Sequence, residues 1–120
     1  MPEGDTIFRS ARSLDAWLTG RVVTKATCQL DPQRVPVHKL LGQTVTGVEA
    51  QGKHLLIRFD SGMTLHTHMK MTGSWHVYRA RERWRKLGWQ ARVVLEVEPD
   101  RVAVGFNVPL VELLAAREQK

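Results

Sequence analysis

Met1-Pro2-Glu3 places at the amino terminus the residue types needed for covalent chemistry at an aldehyde-level carbon. Removal of Met1, which a small second residue such as proline permits, makes the Pro2 nitrogen a secondary amine. An α-amino group titrates near neutral pH, so a useful fraction of it is an unprotonated nucleophile. A secondary amine that adds to such a carbon gives an iminium with no N–H proton to lose, and that iminium is a strong electron sink. Glu3 stands where a proton donor or acceptor is wanted. The same residues also suit a plain helix start, since proline fits a first turn and acids fit the positive end. With Met1 retained, the Pro2 nitrogen is an amide and the route is closed.

Two further segments carry candidate chemistry. In Gln51-Gly52-Lys53-His54-Leu55-Leu56 a glycine and a lysine open an apolar strand. Glycine allows close backbone approach, and Lys53 can hold a phosphate or deliver a proton. An ordinary hairpin with an exposed lysine has the same pattern. In Leu65-His66-Thr67-His68-Met69-Lys70-Met71-Thr72-Gly73-Ser74-Trp75, His66 and His68 alternate on a strand and therefore share a face. Two histidines without a third ligand make a poor metal site. They read better as hydrogen-bond donors to phosphate or as satisfied polar residues. Met71 is either a core filler or a flexible apolar wedge for a base stack.

Composition bounds the rest. At 120 residues the chain forms one domain with a single core, and 42% hydrophobic and 25% charged residues are ordinary for a globular protein. No apolar run is long enough to span a membrane, and a cytoplasmic location is the default expectation. The single cysteine, Cys28, excludes an internal disulfide and a multi-cysteine zinc site. A net charge of +6 favours a polyanionic partner, nucleic acid before membrane. The densest basic run, Arg79 to Lys86 with Trp84 and Trp89 interleaved, fits a solvated loop and a phosphate-gripping segment equally well.

The elements that must position these residues follow from periodicity. Ile7, Phe8, Ala11, Leu14, Trp17 and Leu18 recur at helical steps, so a helix is expected from about Asp5 to Leu18, with Gly20 as its stop. That helix would carry the amino terminus on its positive end. After Gly20 the period changes to two. Strands are expected at Val22–Leu30, Thr44–Ala50, His54–Phe59, Met63–Met69, Ser74–Tyr78, Arg92–Glu98 and Val102–Phe106. Asp31–Pro36 reads as a loop or edge because of its prolines, and Val108–Ala116 as a short strand running into a frayed helix. One helix and many short antiparallel strands predict a mainly β fold, a helix packed on a β-sandwich or flattened barrel.

In combination, Met-Pro-Glu-Gly, Gly-Lys-His-Leu-Leu and His-Met-Lys-Met-Thr-Gly-Ser-Trp resemble the amino-terminal domain of the formamidopyrimidine-DNA glycosylase and endonuclease VIII family. Gly4, where the oxidised-purine branch has leucine, brings the chain closer to the endonuclease VIII branch. The resemblance implies a helix followed by a two-layer antiparallel β-sandwich. It also implies a base-excision DNA glycosylase with abasic-site lyase activity, oxidised pyrimidines as substrates, and no cofactor or metal in this part. Its roles fall on Pro2 as nucleophile at the anomeric carbon, Glu3 as proton donor, and Lys53 at the phosphate and in the elimination. Met71 would be the wedge and Lys70 beside it would contact DNA, which His68, read above as a donor to phosphate, would join. Residues 1–120 would then be the catalytic amino-terminal domain, with the helix–two-turn–helix and zinc-finger domains outside this chain. The expected partners are damaged or abasic double-stranded DNA and that missing half. Thr6 stands where the family usually has glutamate, and Asn107-Val108-Pro109-Leu110 lacks the arginine and phenylalanine of the oxidised-purine branch. The alternative is a non-catalytic DNA-binding or partner-assembling domain, truncated or with Met1 unprocessed.

Overall fold

Ile7, Ala11, Leu14 and Leu18, at steps of three and four, are all buried, and they turn one stripe of an amphipathic helix inward. That helix, α1, runs Glu3–Leu18, two residues further toward the amino terminus than the periodicity gave. The computed structural model describes residues 3–29, 35–68, 73–79, 91–108 and 110–114, with backbone alone at 3–6 and 110. Among the described residues eight strands follow: β1 (Val23–Cys28), β2 (Val45–Gln51), β3 (His54–Phe59), β4 (Thr64–His68), β5 (Ser74–Arg79), β6 (Ala91–Val97), β7 (Arg101–Phe106) and β8 (Leu110–Leu114). They form two four-stranded sheets, ordered β1-β6-β7-β5 and β2-β3-β4-β8, with antiparallel pairing throughout. The expected helix-on-sandwich architecture is therefore observed.

The pleat explains which residues form the core. Leu55, Ile57 and Phe59 of β3 and Leu65 and Thr67 of β4 point to one face and are buried. The apolar four meet Val93, Leu95, Val97 and Ala103 of the other sheet and the inward stripe of α1 in one cluster. A smaller cluster of Tyr78, Ala91, Val102, Val104 and Phe106 lies apart from it. A short 3₁₀ turn at Val37–Leu40, which buries Val37 and Leu40, was not expected from the sequence. The tail at Leu110–Leu114 is a strand; the helical continuation expected beyond it lies outside the described residues.

Two polar contacts fix α1 on this frame. The Asp15 carboxylate accepts from the Val48 amide at 3.0 Å and from the Thr19 hydroxyl at 2.9 Å. β2 is an edge strand, and Asp15 thereby covers one of its outward donors. No basic residue lies in the last turn of α1, and Arg101 of β7 supplies that charge instead. Its guanidinium donates to the Trp17 carbonyl at 3.0 Å and sits 4.4 Å from the Trp17 ring centroid.

The contacts also set the direction of α1. Gly20 donates to the Val45 carbonyl at 2.7 Å, while Asp15 binds Val48. Helix numbering thus falls as strand numbering rises, so the two run antiparallel. From Asp15 back to Glu3 the helix advances about 18 Å at its usual rise. From Val48 to the end of β2 the strand advances about 10 Å in the same direction. The amino end of α1 and the β2–β3 turn consequently lie toward the same end of the molecule.

Candidate active site

Lys53 sits at the tip of the β2–β3 hairpin. Gln51 pairs with His54, which leaves Gly52-Lys53 as a two-residue loop. Gly52 has φ of 61°, the value that the first central position of this turn requires and that side chains resist. Lys53 is thereby held exposed at the tip, at the end toward which α1 carries Glu3. Glu3 opens α1, but its side chain, and Pro2, Lys70 and Met71 as a whole, lie outside the described residues.

His68 is the last residue of β4 and lies directly opposite His54 in the antiparallel register. Their rings meet edge to face with centroids 4.4 Å apart. His68 Nδ1 is buried and has no hydrogen-bond partner among the described residues. Diagonally across the ladder, His54 Nδ1 lies 2.6 Å from His66 Nε2. His66 Nδ1 in turn lies 2.9 Å from the Glu112 carboxylate of β8. The ionised carboxylate can only accept, so His66 must carry its proton on Nδ1. In the neutral ring its Nε2 is then an acceptor, and His54 Nδ1 must be the donor toward it. Lys53, His54, His66 and His68 thus gather at one end of the β2-β3-β4-β8 sheet.

Burial holds the pKa of His54 below its ordinary value, neighbouring His66 and His68 push it the same way, and Glu112 opposes them. His54 therefore stays neutral at pH 7. The unfolded chain binds this proton more readily than the folded one, so folding stability falls as pH drops below about 6.5. Replacing His54 with Gln should flatten the fall in melting temperature between about pH 7.5 and 5.5. An unchanged slope would show that His54 is not the group responsible.

Sequence reasoning singled out Lys53 and His68 and saw that His66 and His68 share a face. It assigned no role to His54 or Glu112. The signal for them is the pairing of β3 and β8 on either side of β4, which alternation within each strand does not contain. The third histidine does not turn the cluster into a metal site. Both nitrogens of His66 are engaged by His54 and Glu112, and no three donors converge among the described residues. The basic run from Arg79 is described only at Arg79, which lies 3.6 Å from Asp100.

The sequence profile of the formamidopyrimidine-DNA glycosylase N-terminal domain matches residues 1–108. The chain belongs to this family. Among its relatives it is 40% identical over 121 aligned residues to a probable endonuclease 8 2 of Streptomyces coelicolor, covering 100% of this chain and 43% of that protein. It is 36% identical over 114 residues to the DNA-(apurinic or apyrimidinic site) lyase Nei2 of Mycolicibacterium smegmatis, covering 95% of this chain and 42% of the relative. The chain therefore spans less than half the length of these relatives. Its fold is similar to that of the Lactococcus lactis formamidopyrimidine-DNA glycosylase bound to DNA containing an abasic site. There the TM-score is 0.75 at 18% identity, over 98% of this chain and 45% of that one. A glycosylase MutM in complex with DNA containing carbocyclic 8-oxo-G gives a TM-score of 0.76 at 15% identity, over 95% and 45%. The family's two-layer fold, expected from the motif combination, is thus present.

Proposed function

We propose that this domain carries the nucleophile of a base-excision DNA glycosylase with abasic-site lyase activity, directed at oxidised pyrimidines. The observation that carries this reading is the family match over residues 1–108, which begins on the Met-Pro-Glu terminus. Relatives named endonuclease 8 and abasic-site lyase favour the endonuclease VIII branch, as does Gly4.

In this reading the Pro2 amine attacks C1′ of the damaged nucleoside, and the glycosidic C–N bond breaks as the base departs with a proton. Glu3 supplies the proton that opens the sugar or assists that departure, and cleavage of the C1′–O4′ bond, with O4′ leaving as a hydroxyl, gives the iminium between Pro2 and C1′. The resulting iminium acidifies C2′–H; loss of that proton expels the 3′ phosphate and cuts the strand. Lys53 binds the backbone phosphate and takes part in the elimination. The base must first leave the helix, at a cost of about a few kcal/mol, and Met71 fills the gap beside the DNA contacts Lys70 and His68. Every step uses groups of the protein and the DNA and calls for no cofactor. Cytoplasmic or nucleoid residence goes with that substrate.

The test is borohydride reduction in the presence of abasic-site DNA, followed by intact and peptide mass measurement. An adduct localised to Pro2 supports the reading. Its absence from protein shown to have lost Met1 would leave the proline available but unplaced, and the non-catalytic DNA-binding alternative would take over. Activity of the 120-residue chain is expected to be weak and steeply salt-dependent, because the remaining half of its relatives would add further phosphate contacts.

Lys53 has its own signature. A lysine bound to one phosphate contributes about one unit to the slope of log affinity against log salt. Lys53→Ala should therefore lower affinity for every duplex alike and reduce that slope by about one. A loss confined to damaged DNA, at unchanged slope, would contradict a phosphate role.

A further inference from the structure

The Glu112–His66–His54 chain has no part in the chemistry assigned to Pro2, Glu3 or Lys53, and it is costly to build. It aligns two rings and a carboxylate contributed by three strands, at 2.6 and 2.9 Å. Leu56 occupies the position directly opposite His66 on the same face, so an apolar side chain is accommodated there. The chain leads from β8 to the residue that closes the Lys53 turn, and the ring at its end packs against His68. We propose that Glu112 and His66 are positioning residues for DNA binding, holding the His54 ring between the Lys53 hairpin and His68 so that both meet the phosphate backbone in a fixed geometry. The proposal rests on the reading of Lys53 and His68 as DNA contacts.

The geometry supports this in two ways. With the carboxylate as the terminal acceptor, each ring has a single allowed tautomer, so the His54 side chain is fixed in orientation as well as in place. The groups around His54 are also of mixed sign. His66 and His68 face it from β4 and Glu112 from β8, while β2 presents Gln51 opposite. Further along the same face, Glu49 of β2 is ion-paired with Arg58 of β3, and Lys53 is the chain neighbour. Removing Glu112 or His66 therefore has opposite electrostatic consequences for His54, while either change to Gln, whose amide both donates and accepts, frees the tautomers that the carboxylate fixes.

The test uses the 120-residue protein and a duplex carrying a tetrahydrofuran abasic analogue. Nitrogen NMR of the imidazoles in DNA-free protein should show His54 and His66 in the Nδ1–H form near pH 8, above the ordinary histidine range. Glu112→Gln should lower the titration midpoint of His54 and His66→Gln should raise it. Each variant should weaken duplex binding about fivefold, the size of effect common for a residue between two linked sites. Their melting temperatures should stay close to that of the wild type, since Glu112 is exposed and the replacements keep an amide acceptor. Nε2–H tautomers, or midpoints that move in the same direction in both variants, would overturn the chain. Wild-type affinity in folded Glu112→Gln, alongside a clear loss in Lys53→Ala, would overturn its positioning role. If neither wild type nor Lys53→Ala binds the duplex, the DNA reading itself has failed and the positioning role falls with it, whatever the imidazole spectra show.

Discussion

Protein whose Pro2 amine is acetylated, or still covered by Met1, is expected to give no borohydride-trapped adduct with abasic DNA. Relative to the free terminus, the rate of trapping should fall on the order of a millionfold, the scale on which covalent nucleophiles are missed, which takes the adduct below detection. An amide nitrogen delocalises its lone pair into the carbonyl and cannot add to C1′. The variant Pro2→Gly separates nucleophilicity from the special property of a secondary amine. Glycine offers a primary amine, whose Schiff base can shed its nitrogen proton and so relinquish the charge that drives base loss and elimination. Its adduct with a pre-formed abasic site should therefore be reduced, and its release of an intact damaged base reduced further. Equal trapping by blocked and free termini would sink the terminal-amine mechanism outright. An adduct mapped to Lys53 would move the nucleophile to the hairpin.

The elements that carry this chemistry were legible in the sequence to an uneven degree. The inward stripe of α1 and the alternation of β3 are local patterns, and β3 begins and ends at His54 and Phe59 as expected. The Gly-Lys turn was legible too, because a glycine at a two-residue hairpin leaves few alternatives. What stayed hidden is non-local. Asp15 reads as a solvent-side residue of the helix, yet it covers the edge of β2. Arg101 reads as the first residue after a turn, yet it caps a helix that ends more than 80 positions earlier in the chain. The 3₁₀ turn at Val37–Leu40 is too short to show a period, and only the burial of two apolar residues three apart marks it. His54 and Glu112 become partners of His66 only once β3 and β8 are known to flank β4. Around Lys53, local pattern singled out a turn residue and the strand-end His68, and missed His54 and Glu112, which meet His66 only across neighbouring strands.

The second large effect lies in the core, between the strands on either side, in sequence, of the segment that holds Lys70 and Met71. Thr67 precedes that segment and Trp75 follows it, on strands of different sheets. The Trp75 indole N–H donates to the Thr67 hydroxyl at 3.3 Å, and that hydroxyl donates to the Leu55 carbonyl at 3.3 Å. Trp75 lies opposite Gly105 in the ladder, where an added Cβ would come within 3.1 Å of the indole and 3.0 Å of Val93 Cγ1. Trp75→Ala should cost about 3–5 kcal/mol, the range for deleting a buried aromatic. That is a large share of the roughly 5–15 kcal/mol by which domains are stable, and chemical denaturation measures it directly. A loss under about 1 kcal/mol would mean that the indole is not a core residue. Thr67→Val keeps the volume and removes the hydroxyl, leaving the indole N–H buried without an acceptor; about 1–3 kcal/mol is expected. Gly105→Ala should cost a similar amount, roughly 1–3 kcal/mol, through overpacking. Because Thr67 and Trp75 share one hydrogen bond, Thr67→Val should cost much less in a Trp75→Phe background, where no N–H is left to strand. Additivity between those two changes would show that the bond does not join the sheets. With the bond present, Thr67 of one sheet and Trp75 of the other are tied to one buried point, so the ends of the strands on either side of residues 69–72 are fixed by the core.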